Sequence, residues 1–151
     1  MSITLEISKN LTTDQTLQID RLWNELYPIK LNNRFKTLLD STKQQDHLLL
    51  LDENDEIIGW AVAFLRDNET WFSILVSDHN QNKGYGKMLI ETLKQNYSNL
   101  CGWVIDHNND LKADGSHYFT PMEFYIKHGF VVRQERFETD LISAAKIYFE
   151  R

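Results

Sequence analysis

Cysteine is almost missing: Cys101 stands alone among 151 residues, so neither an internal disulfide nor a cysteine-based zinc site can form. That usage fits a reducing compartment, and the expectation is a cytoplasmic protein. No apolar run approaches the roughly 20 residues that span a bilayer, because the longest candidate, 57–65, already contains Gly59. The opening Met1-Ser2-Ile3-Thr4-Leu5-Glu6 has no basic stretch and no long apolar stretch, so it does not read as a secretory signal. Basic clusters are absent as well. With 16 Lys+Arg against 22 Asp+Glu the net charge is -6, which argues against a partner bound through a nucleic-acid backbone. Two prolines and six glycines leave no stretch that resembles an interdomain linker, and this length supports one core. The expectation is one domain over residues 1–151.

What is present is periodicity. Residues 2–7 alternate as a strand, and Thr12-Thr13-Asp14-Gln15 offers a capping box ahead of Ile19, Leu22, Trp23 and Leu26 at helical spacing. A shorter helix is expected over 31–39. The apolar runs 47–51 and 56–65, parted by Asp52-Glu53-Asn54-Asp55, read as a hairpin, and 70–76 reads as a further strand. A helix follows over about 86–96, then a strand over 101–105 and a polar loop over 107–118. Thr120-Pro121-Met122-Glu123 predicts a helix capped by Thr120 with Glu123 closing a capping box, and Gly129 sits where a left-handed C-terminal cap belongs. Strands over 130–133 and 143–149 complete the order β-α-α-β-β-β-α-β-α-β-β. Hairpins combined with a helical crossover predict a mixed sheet and an α/β (α+β) class.

The segment richest in chemistry is Gln81-Asn82-Lys83-Gly84-Tyr85-Gly86-Lys87, a glycine-bearing turn between a strand and a helix N-terminus. Unpaired N–H groups and the positive end of the helix dipole favour an anion there, and glycines allow close approach of phosphate oxygens. Two phosphate motifs fail the test. A dinucleotide fingerprint needs a small residue at Leu89, and a P-loop needs Gly-Lys-Ser/Thr after four intervening residues.

Gln81-x-x-Gly84-x-Gly86 resembles the acetyl-CoA motif Arg/Gln-x-x-Gly-x-Gly/Ala of the GNAT family of N-acetyltransferases. Tyr125-Ile126-Lys127-His128-Gly129-Phe130 resembles the family's later Tyr-x-Lys-x-Gly-Phe pattern. The element order is similar from end to end, including a splayed central sheet. The resemblance implies that the amides of Gln81, Asn82, Lys83, Gly84, Tyr85, Gly86 and Lys87 cradle the CoA pyrophosphate. It also implies that the main chain of Ile74 and Val76 pairs with the pantetheine arm, and that Tyr125 is the general acid. The implied reaction is acetyl transfer from acetyl-CoA to a primary amine, on a small molecule or a peptide, by direct attack. A homodimer is left open. The alternative is a non-catalytic acyl-CoA-binding regulatory domain of the same fold.

The chain departs from the family pattern at two points. Typical members carry Asn and Ala where this chain has Tyr118 and Pro121. Thr70 occupies the position of the glutamate that some members use as base, with Glu69 one residue away on the opposite face of a regular strand. The candidates for the base are therefore Glu69 through a bulge, Asp106, His107, since histidine is the side chain suited to proton removal near neutral pH, or a water chain. A calcium loop starting at Asp106 is excluded by Leu111 and His117 at its sixth and twelfth positions, and no metal is expected.

Overall fold

The computed structural model describes residues 2–151 and contains a seven-stranded mixed sheet with helices on both faces. In chain order the elements are β1 (Thr4–Ser8), α1 (Thr13–Leu26), α2 (Phe35–Leu38), β2 (Lys43–Leu51), β3 (Ile57–Arg66), β4 (Glu69–Val76), α3 (Tyr85–Asn96), β5 (Asn99–Ile105), α4 (Met122–Lys127), β6 (Val131–Glu138) and β7 (Ser143–Glu150). This is the order the periodicity predicts, with single 3-10 turns added at Ile29–Leu31 and Asp78–Asn80. The strands lie in the order β1-β2-β3-β4-β5-β7-β6, and only β4 and β5 are parallel.

Local chemistry explains the boundaries. The Thr12 hydroxyl accepts from the Gln15 backbone, and the Gln15 side chain accepts in return from the Thr12 backbone, so two otherwise orphaned donors are satisfied at the start of α1. The β3–β4 hairpin turns through Asp67 and Asn68, both left-handed at φ 54° and 63°. That geometry matches the twist of the flanking strands. At the end of α4, Phe130 N–H donates to the Tyr125 carbonyl and Gly129 N–H to that of Ile126, a Schellman closure that places Gly129 at φ 92°.

The start of α4 differs from expectation. Pro121, rather than Thr120, is the cap residue, and no capping box forms. The Thr120 N–H that a capping box would pair with Glu123 donates instead to Asn108 Oδ1 at 2.8 Å, while the Thr120 hydroxyl accepts from Met122 N at 3.2 Å. The loop from 106 to 118 thus supplies the partner and ties itself to the helix.

Side chains alternate across the sheet and create two cores. Ile19, Leu22 and Trp23 of α1 meet Trp60, Trp71 and Leu75 on one face, while Leu89, Ile90 and Leu93 of α3 meet Phe72, Tyr125 and Ile147 on the other. Each fully buried aliphatic contributes about 1.5–3 kcal/mol. The two helical layers are thereby fixed on either side of β4 and β5.

One buried polar residue in this framework makes a testable contribution to stability. Trp60 Nε1–H donates to His47 Nδ1 at 3.0 Å, so the other ring nitrogen carries the proton and donates to Gln45 Oε1 at 3.2 Å. Burial pushes the pKa from 6.5 to about 4 even though Asp46 lies alongside. Because the folded pKa is depressed, the stabilisation is complete above about pH 6.5 and is lost as the pH falls toward 4, in total about 3 kcal/mol. Urea unfolding from pH 7 to pH 4 should show this loss in the wild type and a smaller one in His47→Gln. Equal slopes in the two proteins would remove His47 from the acid response.

Candidate acyl-transfer cleft

The parallel pair β4–β5 is joined at a single register position, Trp71 opposite Cys101. Beyond it the strands separate, although β4 stays paired to β3 along its whole length, from Glu69–Arg66 to Val76–Gly59. The separation opens a cleft of about 1620 Å³ that passes through the sheet. Its position at the carboxyl ends of parallel strands, beside their crossover helix, is where open α/β sheets bind ligands.

One end of the cleft is the turn into α3. Asn82 (φ 63°) and Gly84 (φ 84°) are left-handed, and Gly84 caps the helix without any side-chain hydrogen bond. The first intrahelical bond runs from Met88 N to Gly84 O, so the N–H groups of Tyr85, Gly86 and Lys87 precede the ladder. Gln81 braces the loop by donating from Nε2 to the Val76 carbonyl at 3.1 Å and to Asp78 Oδ1 at 3.2 Å. A Cβ at Gly84 would meet nothing within 4 Å, whereas one at Gly86 would stand 3.4 Å from Phe124 Cζ. Ile74, Val76, Gln81, Asn82, Gly84, Tyr85, Gly86 and Lys87 all line the cleft; Lys83 does not.

Tyr125 reaches the cleft from α4 and rests on β4. Its ring packs against Phe72 at 5.6 Å, Phe124 at 5.2 Å and Phe130 at 5.6 Å, which leaves the residue 7% exposed. No buried side-chain oxygen or nitrogen lacks a partner among the described residues, and the Tyr125 hydroxyl has no protein partner, so that oxygen opens onto the cleft. Burial raises the Tyr125 pKa above its ordinary value of 10.0 and keeps the hydroxyl protonated at neutral pH.

The residues considered for proton removal are placed elsewhere. Asp106 is held by Arg136 through two hydrogen bonds of 2.8 and 3.1 Å, and this guanidinium keeps its carboxyl below the usual range. His107 accepts from Asn109 N at 3.1 Å and faces Asp110 at 3.9 Å. Neither residue lines the cleft. Glu69 turns to Cys101 Sγ at 3.0 Å and to Lys146 Nζ at 2.8 Å, and those contacts lower its pKa. The Cys101 thiol is pushed up by burial and by Glu69, and it is inert as a nucleophile.

Other lining residues carry no motif. Tyr27 and Tyr118 approach each other at 6.0 Å, and the Tyr27 hydroxyl lies 3.4 Å from Ser73 Oγ. Trp71, Trp103 and Phe137 form a ladder with centroid spacings of 5.3 and 5.6 Å across β4, β5 and β6. The loop from 106 to 118 bridges to Pro28 through Lys112 and contributes Lys112, His117 and Tyr118 to the wall. The one signal for any of these in the sequence is Tyr118, which stands where the family pattern carries Asn.

A model of the family described as "Acetyltransferase (GNAT) domain" matches residues 44–132, more than half of the chain. The chain belongs to the GNAT acetyltransferase family. No curated protein sequence matches it. Among solved structures, an acyl-CoA N-acyltransferase from Pseudomonas aeruginosa superposes with a TM-score of 0.72 at 14% identity, covering 98% of this chain and 99% of that one. ElaA from Escherichia coli gives 0.70 at 15% identity, covering 99% and 100%. The spermidine/spermine N-acetyltransferase SpeG from Vibrio cholerae gives 0.61 at 17%, covering 98% and 92%. At these identities the likeness concerns the fold, and this GNAT chain shares its mixed α/β architecture with all three. No helix among its described residues is long and apolar enough to cross a membrane.

Proposed function

We propose that this GNAT domain, spanning residues 1–151, is an acetyl-CoA-dependent N-acetyltransferase acting on a primary amine by direct attack in a ternary complex. The observation that carries the reading is the convergence on one cleft of a splayed strand pair, an uncapped helix N-terminus and an unbonded, protonated tyrosine hydroxyl. The donors fit the co-substrate. Backbone N–H groups from Gln81 to Lys87 meet the pyrophosphate, with Lys87 adding charge at the rim and Lys83 farther out. The free edge of β4 at Ile74 and Val76 offers main-chain groups to an extended amide-bearing arm.

Bound acetyl-CoA would supply the activated acetyl group. Tyr125 gives its hydroxyl proton to the departing sulfur as the carbon–sulfur bond breaks and the carbon–nitrogen bond forms, and it is then reprotonated from solvent. Burial makes tyrosine a weaker acid. The same dry environment makes the leaving thiolate more basic, so the two remain matched.

Neither Asp106, His107 nor Glu69 faces the cleft, and the two histidines that line it are engaged elsewhere, His117 with the Asn108 carbonyl at 3.0 Å and His128 with Glu91 at 3.4 Å, so the amine enters as its free base and its surplus proton leaves to water. The log of kcat/KM should therefore rise with unit slope up to the pKa of the amine and shift with that pKa from one acceptor to another. A panel of small amines and peptide N-termini, followed by released CoA thiol, tests both turnover and slope. An inflection fixed at one pH for every acceptor would require an enzymic base. Acetyl-CoA binding with no turnover on any amine would favour a regulatory acyl-CoA-binding domain.

A further inference from the structure

The acceptor end of the cleft has its own chemistry. Resting on the acetyl-transfer reading, we infer that the acceptor is a primary amine with an aromatic or large apolar body and a carboxylate, the carboxylate being received by Arg66.

Arg66 ends β3 beside the closed end of the strand fork and lines the cleft. Its guanidinium carbon lies 4.6 Å from the centroid of Trp71 and 5.4 Å from that of Phe64, so two aromatic faces hold the group in place. It makes no ion pair and donates no side-chain hydrogen bond among the described residues, although the residue is half-buried. A planar fork of donors, already oriented and partly desolvated, matches a carboxylate in bidentate geometry. Arg34 lines the same cleft and is likewise without an ion pair among the described residues.

Carboxylates of the protein also reach the lining: Asp67 in the β3–β4 turn, Asp140 in the β6–β7 loop and Asp78 at the far end, where Lys112 pairs with it at 3.1 Å. Asp67 and Asp140 are exposed, so their fields are screened by solvent and salt. The half-buried guanidinium is screened less, and the balance at this end favours an anionic group over a polycation.

The body of the acceptor is indicated by the ladder Trp71, Trp103 and Phe137. Trp103 is half-buried and Phe137 is 43% exposed, so apolar surface borders the cleft and would be removed from water by a ligand of the same character. The Tyr27 and Ser73 hydroxyls, 3.4 Å apart in the cleft wall, offer uncharged oxygens that can accept from the amine N–H.

The test uses matched acceptors: L-phenylalanine against phenethylamine, 4-(aminomethyl)benzoate against benzylamine, and spermidine as the polycation. The expected result is that the carboxylated member of at least one pair exceeds its partner and spermidine by about tenfold or more in kcat/KM. Arg66→Gln, checked for folding by circular dichroism, should shrink that preference by about tenfold, and Arg66→Lys should restore part of it. A preference for spermidine or for the carboxylate-free amines, or a ratio unmoved in Arg66→Gln, overturns the acceptor assignment and leaves acetyl transfer standing. If none is acetylated, calorimetry on the CoA-bound protein separates the two readings. Carboxylated-amine binding that disappears in Arg66→Gln keeps the Arg66 site and rejects acetyl transfer, whereas no binding rejects the site.

Discussion

Replacing Tyr125 by Phe should lower kcat by about 10²–10⁴-fold while leaving the fold and acetyl-CoA binding in place, because the ring still fills its position between Phe72, Phe124 and Phe130. Only the oxygen that opens onto the cleft is lost. No protein hydrogen bond is broken by its removal, so a stability change beyond a few tenths of a kcal/mol is not expected. Size decides the interpretation, since a loss near tenfold is what one hydrogen bond can give through positioning alone. An acyl donor with a more acidic thiol needs less protonation and should recover part of the rate in Tyr125→Phe. The wild type should show no alkaline fall in activity below about pH 10, because burial raises the tyrosine above its ordinary value. Wild-type kcat in the variant, with chemistry rate-limiting, would make Tyr125 a packing residue.

The division between what the sequence showed and what it hid follows the range of the interactions. The capping box at Thr12, the helix stop at Gly129 and the turn at Gly84 are decided by near neighbours in the chain, and all three could be read in advance. The cap of α4 could not. The Thr120 N–H that a capping box would have satisfied finds its partner in Asn108, 12 residues away on a loop whose path is set by bridges from Lys112 to Pro28 and from Leu111 to His117. Asp106 shows the same limit at the site: it follows the cleft strand as expected, but Arg136, 30 residues later on β6, turns it away. Arg66 and the Trp71–Trp103–Phe137 ladder belong to four strands and to no motif. They become visible once the fold brings β3, β4, β5 and β6 around one cleft.

Gly86→Val should abolish most of the stabilisation that acetyl-CoA gives the protein, about 2.7 kcal/mol at 100 times the dissociation constant. Gly86 occupies the first turn of α3, where N–H groups face the cleft, and a Cβ there would have only Phe124 atoms close by, at 3.4 and 3.5 Å. A branched side chain meets the phosphate on one side and α4 on the other, so two causes must be separated. Phe124→Ala in the Gly86→Val background removes the protein obstacle while leaving the phosphate one. Binding that stays weak in the double variant assigns the loss to the turn, and binding that returns assigns it to a displaced α4. Gly84→Ala supplies the converse control: its Cβ would touch nothing within 4 Å, but φ of 84° costs an alanine about 1–2 kcal/mol. That variant should lose stability with and without acetyl-CoA alike, and its thermal shift on adding acetyl-CoA should approach that of the wild type. A folded Gly86→Val protein that binds acetyl-CoA with wild-type affinity by calorimetry would show that the phosphate is held elsewhere, and the turn from Gln81 to Lys87 would then be a packing device.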